Sequence, residues 1–180
     1  MGTNTDRQHT NVLELRSMMH SLWKLVSQYT DQWLADQGVD ITRLQLGLLR
    51  MLEHEGAHTL SELSRKFGVD PSTLVPTVNA LERKGYITRE RDPDDRRRVP
   101  IGLTDAGQTL SQSIPAVTDD DPLLLALAQL GDADTEHLLR LMCRLVSLMP
   151  EGALLLTHME SRLSAQGAKK DFLICKHHDD

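Results

Sequence analysis

The sequence predicts a mainly α-helical fold that carries one small β-hairpin, on three observations. Aromatic residues make up only 3% of the 180, so a core has to be built from Leu, Val, Met and Ala, which favours helices over a large sheet. Apolar residues recur at spacings of three and four in successive segments, as one face of a helix requires. Around Asp92-Pro93-Asp94-Asp95 that spacing gives way to a turn signature, which places a hairpin there. With 39% hydrophobic residues the chain is long enough for one compact domain with a sizeable core.

Taken from the N-terminus, residues 1–11 are polar and read as a disordered start, not as a signal peptide. Val12, Leu15, Met19, Leu22, Val26, Tyr29 and Trp33 then form a heptad seam, which serves either packing within the chain or packing against a partner chain. The next helix is capped by Thr42 with Gln45 and turns Leu44, Leu48 and Met51 inward. A second capping box, Thr59 with Glu62, opens a short helix that Gly68 ends. Asp70 caps the helix after it, Pro71 fills the first position where a missing amide proton costs nothing, and Gly85 stops it after Lys84. Beyond the hairpin, Thr104 starts a helix that Ser113-Ile114-Pro115 interrupts, and Asp121-Pro122 marks a second break. The apolar run 123–130 resumes the helix, Gly131-Asp132 turns the chain, and Leu138, Leu141, Leu145 and Leu148 define the following amphipathic segment. Residues 150–166 read as one more helix and 167–180 as a flexible tail. The run 123–130 is far too short to span a bilayer, which makes a soluble, cytoplasmic protein with no membrane partner the expectation.

The chemistry concentrates between 59 and 104. In the helix that starts at Pro71, Leu74, Val78 and Leu81 fall on one face and leave Ser72, Thr73, Pro76, Thr77 and Ala80 on the other. That outer face is small and uncharged, so it can lie deep in a DNA major groove, with hydroxyls for phosphates and methyl groups for thymine methyls. From Arg83 to Arg98 there are seven basic residues (Arg83, Lys84, Arg89, Arg91, Arg96, Arg97, Arg98) against four acidic ones, while the whole chain carries a net charge of -6. So acidic a molecule does not hold nucleic acid indiscriminately, and any contact must come from a local basic feature. The hairpin supplies it, with Arg96, Arg97 and Arg98 just past its tip, where a guanidinium can enter a narrow minor groove.

These segments resemble the MarR family of winged helix-turn-helix regulators. The match rests on Ser72-Thr73-Leu74 through Leu81-Glu82-Arg83-Lys84-Gly85-Tyr86-Ile87, on Asp95-Arg96-Arg97, and on Leu103-Thr104-Asp105-Ala106-Gly107. The resemblance covers residues 12–149 and implies dimerisation helices at 12–36 and 104–149 flanking a DNA-binding unit at 42–103. It implies that Arg97 is the minor-groove residue, that Asp95 steadies the wing, and that Arg96 and Arg98 contact phosphates, with Ser72, Thr73, Pro76, Thr77, Arg83 and Arg91 completing the DNA-binding set. It also implies a homodimer on a pseudo-palindromic operator, acting as a repressor that a small organic anion releases. Arg16, His20 and Trp23 on the first helix offer a cation, a titratable group and a ring for such an effector. Two positions depart from the common pattern: Ala80 stands where many relatives carry a basic residue, and Pro76 lies inside the recognition helix, as in the branch with organic-peroxide sensors. The reactive cysteine that those sensors carry near the start of the first helix has no counterpart here.

Other patterns point elsewhere. His54-Glu55-Gly56-Ala57-His58 fits H-E-x-x-H, the zinc-hydrolase signature, which needs both imidazoles on one continuous helix. Gly56 falls where the helix should end, so the two histidines belong to a turn, and no metal, cofactor or catalytic residue is assigned. Cys143, among Leu141, Met142, Leu145 and Val146, reads as a buried inert thiol, and two cysteines in a cytoplasmic chain give no disulfide framework. Cys175 beside His177 and His178 reads as part of the loose tail. The alternative to a DNA-binding regulator is a winged-helix protein-interaction module, and a zinc hydrolase is more remote.

Overall fold

The computed structural model describes residues 2–90, 98–165 and 175. Among them are eight helices and a two-stranded antiparallel hairpin in the order α1 (Gly2–Asp36), α2 (Arg43–Glu55), α3 (Leu60–Phe67), α4 (Pro71–Arg83), β1 (Ile87–Arg89), β2 (Ile101–Leu103), α5 (Asp105–Ser113), α6 (Pro122–Leu130), α7 (Asp132–Ser147) and α8 (Gly152–Ala165). The mainly helical class with one hairpin is the class the sequence predicts.

Local chemistry sets the boundaries. Thr42 and Gln45 exchange both capping hydrogen bonds, at 3.2 and 3.0 Å, and start α2. Thr59 and Glu62 do the same for α3, which ends at Gly68 in the left-handed region. Asp70 accepts from the Ser72 amide at 2.8 Å and Pro71 opens α4. The helix continues through Pro76, whose missing amide leaves the Ser72 carbonyl without its partner on the exposed face. Past its end, the Tyr86 amide reaches back to the Leu81 carbonyl at 3.0 Å and the Gly85 amide to Glu82 at 2.9 Å, with Gly85 at φ 75°.

The core lies mainly within residues 41–103, joined by Leu34 of α1 and Ile114 at the end of α5. Leu46, Leu48, Leu49 and Leu52 of α2, Leu63 of α3, and Leu74, Val78 and Leu81 of α4 close over Ile87 and Ile101 of the hairpin. Of the residues expected on the inner face of α2, Leu48 is buried whereas Leu44 and Met51 pack half-buried at the margin. The hairpin pairs Ile87 with Leu103, Thr88 with Gly102 and Arg89 with Ile101. His58 adds a bridge to Ile101, through amide-to-carbonyl bonds of 3.1 and 2.8 Å, and so ties the α2–α3 connection to β2.

Gly107 is required sterically where α5 passes the reading unit, the core of α2, α3, α4 and the hairpin. A Cβ there would lie 1.9 Å from the Tyr86 carbonyl oxygen. Thr104 locks the same corner: its hydroxyl donates to the Gly85 carbonyl at 2.6 Å and accepts from the Gly107 amide at 3.1 Å. The Leu-Thr-x-x-Gly pattern is thus a close approach of α5 to the turn after α4.

Two expectations require correction. α1 begins at Gly2, so residues 2–11, read as disordered, are helical. Nothing between Gly2 and Asn11 breaks a helix, and adding residues to a helix already nucleated costs far less than starting one. Cys143, read as a free buried thiol, is disulfide-bonded to Cys175, with Cα atoms 5.5 Å apart. A sequence separation of 32 gave no local signal, and the pairing depends on the chain doubling back along α7 through α8. The other residues of the 167–180 segment lie outside the described residues.

Candidate nucleic-acid interface

α4 presents the face that its periodicity demands. Leu74, Val78 and Leu81 are buried, while Ser72, Thr73 and Pro76 are exposed and Thr77 and Ala80 half-exposed. The Thr77 hydroxyl bonds back to the Thr73 carbonyl at 3.4 Å. Val75 and Asn79 extend the same exposed surface. Arg83 closes the helix as an exposed cation in its last turn, where the carbonyl end of the helix favours positive charge.

The hairpin is tied to the two helices beside it. Arg89 on β1 donates to the Asn79 amide oxygen at 2.6 Å and lies 3.4 Å from the Glu82 carboxylate, both on α4. Arg98, just before β2, donates to Glu62 Oε1 at 3.2 Å, while Glu62 Oε2 accepts from the Thr59 amide at 2.8 Å. One carboxylate therefore caps α3 with one oxygen and holds the base of the hairpin with the other. The capping bonds from Thr59, and then the Arg98 charge, hold the Glu62 carboxyl below its ordinary range. Arg91, Asp95, Arg96 and Arg97 lie outside the described residues.

The basic excess of the hairpin is consequently smaller than its sequence implies. Lys84 pairs with Asp40 at 2.9 Å, Arg89 with Glu82 and Arg98 with Glu62. None of these three acidic partners falls in the 83–98 window, and only the fold brings them in. Arg98, expected on a phosphate, is held as a strut across the hairpin base. No sequence signal identifies Glu62 in this role, because its capping function alone accounts for its position.

Residues 41–99 match the model of the MarR family. Over that stretch, which is less than half of the chain, the protein is similar to the MarR family. By sequence it is similar to the HTH-type transcriptional regulator SarZ of Staphylococcus haemolyticus, 31% identical over 80 residues, covering 44% of this chain and 54% of that protein. It is also similar to the organic hydroperoxide resistance transcriptional regulator of Bacillus subtilis, 32% identical over 93 residues, covering 52% and 60%. The chain thus spans little more than half the length of these relatives. Among solved structures, a mutant MarR from E. coli complexed with operator DNA matches with a TM-score of 0.64 and 21% identity over 76% of this chain and 96% of that one. Reduced AbfR bound to DNA matches with a TM-score of 0.53 and 29% identity over 61% and 75%. The structural likeness fixes the MarR-like winged-helix fold. Both of these sequence relatives are named as transcriptional regulators.

The competing hydrolase motif is broken by the backbone. His54 and Glu55 end α2, Gly56 turns away at φ 79°, and His58 sits in the bridge to Ile101 with its Nδ1 2.9 Å from the Gly56 carbonyl oxygen. The two imidazoles share no helix. Among the described residues no group of three or more His, Cys, Asp or Glu is placed to hold a metal ion, and no helix is long and apolar enough to cross a membrane.

Of the candidate effector residues, Arg16, His20 and Trp23 are all exposed on α1. The structure adds Arg43, at the start of α2, whose guanidinium stands 5.3 Å from the centre of the Trp23 ring. Its Nε is 3.7 Å from Asp31, while among the described residues its buried Nη1 has no hydrogen-bond partner, and neither does the buried Ser27 hydroxyl. Arg43 had no sequence signal, since it lies twenty residues from Trp23 in the chain. Arg50 was missed for the same reason: it donates to the Ile114 and Pro115 carbonyls at 3.1 and 2.9 Å and fixes the exit from α5.

Proposed function

We propose that this protein is a DNA-binding transcriptional regulator that works as a homodimer on a pseudo-palindromic operator. The observation that carries this reading is the exposed face of α4: Ser72, Thr73, Pro76 and Thr77 lie beside a basic hairpin strapped to the same helix through Arg89. The helix supplies hydroxyl and methyl contacts in the major groove, and the wing supplies guanidinium contacts from Arg91, Arg96 and Arg97 alongside. Arg83 contacts phosphate from the end of α4, and Asp95 steadies the wing.

Dimerisation is supported by apolar faces that this chain leaves open. Val12, Leu15, Met19 and Leu22 of α1 and Leu138, Leu141 and Leu145 of α7 are exposed, and exposure on this scale marks an interaction surface. A second copy placed on these helices, which span 12–36 and 104–149, sets two copies of α4 about 34–36 Å apart, one turn of DNA. Repression, with release by a small organic anion, follows for a protein of this kind. Arg16, His20 and Trp23, with the Arg43 guanidinium over the Trp23 ring, supply charge and stacking for that effector.

Fluorescence anisotropy against the chain's own upstream region, across a salt series, tests the reading. Arg97→Ala is expected to weaken binding and to flatten the logarithmic salt dependence by about one counterion. Unchanged affinity and slope overturn the wing assignment. The neutralisation of Lys84, Arg89 and Arg98 favours one other reading, a winged-helix module that docks on protein. Affinity for the upstream region no tighter than for random duplex favours that module instead.

A further inference from the structure

We propose that the cleft between the C-terminal helix α8 and the ends of α2 and α3 is a binding site for a phosphoryl group. The cleft has a volume of about 210 Å³ and is lined by His54, Glu55, Lys66, His158, Ser161 and Arg162. Pockets for drug-sized ligands run to roughly 300–1,000 Å³, so this one suits a compact metabolite. Its two walls belong to different parts of the molecule. His54, Glu55 and Lys66 lie within the matched residues 41–99, whereas His158, Ser161 and Arg162 belong to a helix beyond them. On α8 these three fall at i, i+3 and i+4, which places them on one face.

The charge inside the cleft is unbalanced in favour of an anion. The single acidic group, Glu55, is already engaged: Lys66 donates to its Oε2, and His58 Nε2 stands 3.7 Å from the same oxygen. That engagement, chiefly the Lys66 hydrogen bond, holds Glu55 ionised below the ordinary carboxyl range. Arg162 also acts on Glu55 through space, yet forms no ion pair within 4.0 Å among the described residues. His54 and His158 have no hydrogen-bond partner among the described residues, so their ring N–H groups are available to the cleft. Arg162, His158 and His54 thus offer a forked guanidinium and two imidazoles from two helices around one space. A guanidinium flanked by ring N–H donors matches the several oxygens of a phosphoryl group better than the two of a lone carboxylate. Ser161 donates its own proton to the Thr157 carbonyl at 3.1 Å, leaving its oxygen to accept from a protonated phosphate oxygen or from an imidazole.

A group held by both walls would join α8 to the reading unit, which gives this C-terminal helix a ligand-dependent contact with the domain. The inference does not depend on DNA binding, and its test omits DNA. Isothermal titration of the full chain with inorganic phosphate, and separately with glycerol 3-phosphate, is run at constant ionic strength set with sodium chloride. Saturable binding is expected, weakened by roughly tenfold or more in Arg162→Gln with His158→Gln, the loss anticipated for charged hydrogen bonds. The same double variant without phosphate should unfold at the wild-type temperature, because both side chains are exposed. Tighter binding of the ester identifies a phosphorylated metabolite, and tighter binding of the free ion identifies phosphate itself. Heats that do not saturate, or equal affinity in the double variant, overturn the proposal.

Discussion

The reading unit and the helices around it solve the burial problem differently. Within α2, α3, α4 and the hairpin, the apolar side chains close on one another: Leu49, Leu63, Leu74 and Leu81 are 0% exposed. In α1 and α7, side chains just as apolar remain open, with Leu22 at 53%, Trp23 at 65% and Leu141 at 51%. The α1 seam contains both behaviours. Val12, Leu15, Met19 and Leu22 are exposed, whereas Val26, Tyr29 and Trp33 pack partly within the chain. The same heptad spacing therefore serves the chain's own core at one end and an external surface at the other. One region closes its apolar side chains on itself, and the other leaves them exposed in the single chain.

Removing a large side chain from each region separates the two cases most sharply. Leu74→Ala should cost about 2–5 kcal/mol, as truncation in a closed core does, with a denaturation midpoint that does not depend on protein concentration. Leu22→Ala should cost less than about 0.5 kcal/mol in the isolated chain but lower the midpoint more at high concentration, where association contributes to stability. Equal, concentration-independent losses would show that the two regions do not differ in this way.

The disulfide belongs to the open region and offers the next test. Closing a loop of this size contributes about 2–4 kcal/mol in the chain-entropy account. In Cys143→Ser the loss should appear as faster proteolysis after α7, with the reading unit still protected. Alkylation without reductant should modify neither thiol of the wild-type protein and should modify Cys175 in the variant. Labelling of both wild-type thiols without reductant would remove the pairing of Cys143 with Cys175.

Two glycines carry the comparison to the boundaries. In Gly107→Ala the new methyl meets the Tyr86 carbonyl oxygen at 1.9 Å, and in Gly152→Ala it meets that of Val146 at 1.7 Å. Overpacking of this kind costs about 1–3 kcal/mol. The first should lower the stability of the reading unit, because α5 has to withdraw from the turn after α4. The second should loosen α8 alone, visible as hydrogen exchange confined to 152–165.

What could be read in the sequence follows from the range of the forces involved. Thr42 with Gln45, Thr59 with Glu62, and Asp70 with Pro71 act within one helical turn, so the starts of α2, α3 and α4 were legible from a few residues each. The outward face of α4 was legible too, since a period of 3.6 fixes which side Leu74, Val78 and Leu81 turn away from solvent. Glu62 with Arg98, Trp23 with Arg43, and Cys143 with Cys175 were not, because each joins segments that only tertiary folding brings together. The charge of the wing failed for the same reason. Counting from Arg83 to Arg98 omits Asp40, Glu62 and Glu82, which the fold places against it.

The smallest expected effect concerns the carboxylate that joins these two kinds of contact. Glu62 is held below its ordinary range by the Thr59 capping bonds and then by Arg98, so its folded form binds protons less readily than its unfolded form. The stability it contributes is fully present above the unfolded value of about 4.3 and is lost as pH falls through the lower folded value. Glu62→Gln keeps a side chain able to complete the capping box but loses the charge facing Arg98, and an exposed pair of this kind is worth below about 1 kcal/mol. Between about pH 5 and 3 the variant should therefore lose stability less steeply than the wild type, the two curves converging at the acid end. An unchanged slope would show that Glu62 titrates alike in both states. In the same variant Arg98 is freed from its partner and becomes available to phosphate, so the salt dependence of DNA binding should steepen toward one further counterion. A strut between α3 and the wing and a phosphate contact are alternative uses of a single guanidinium, and removing the Glu62 charge moves Arg98 from the first to the second.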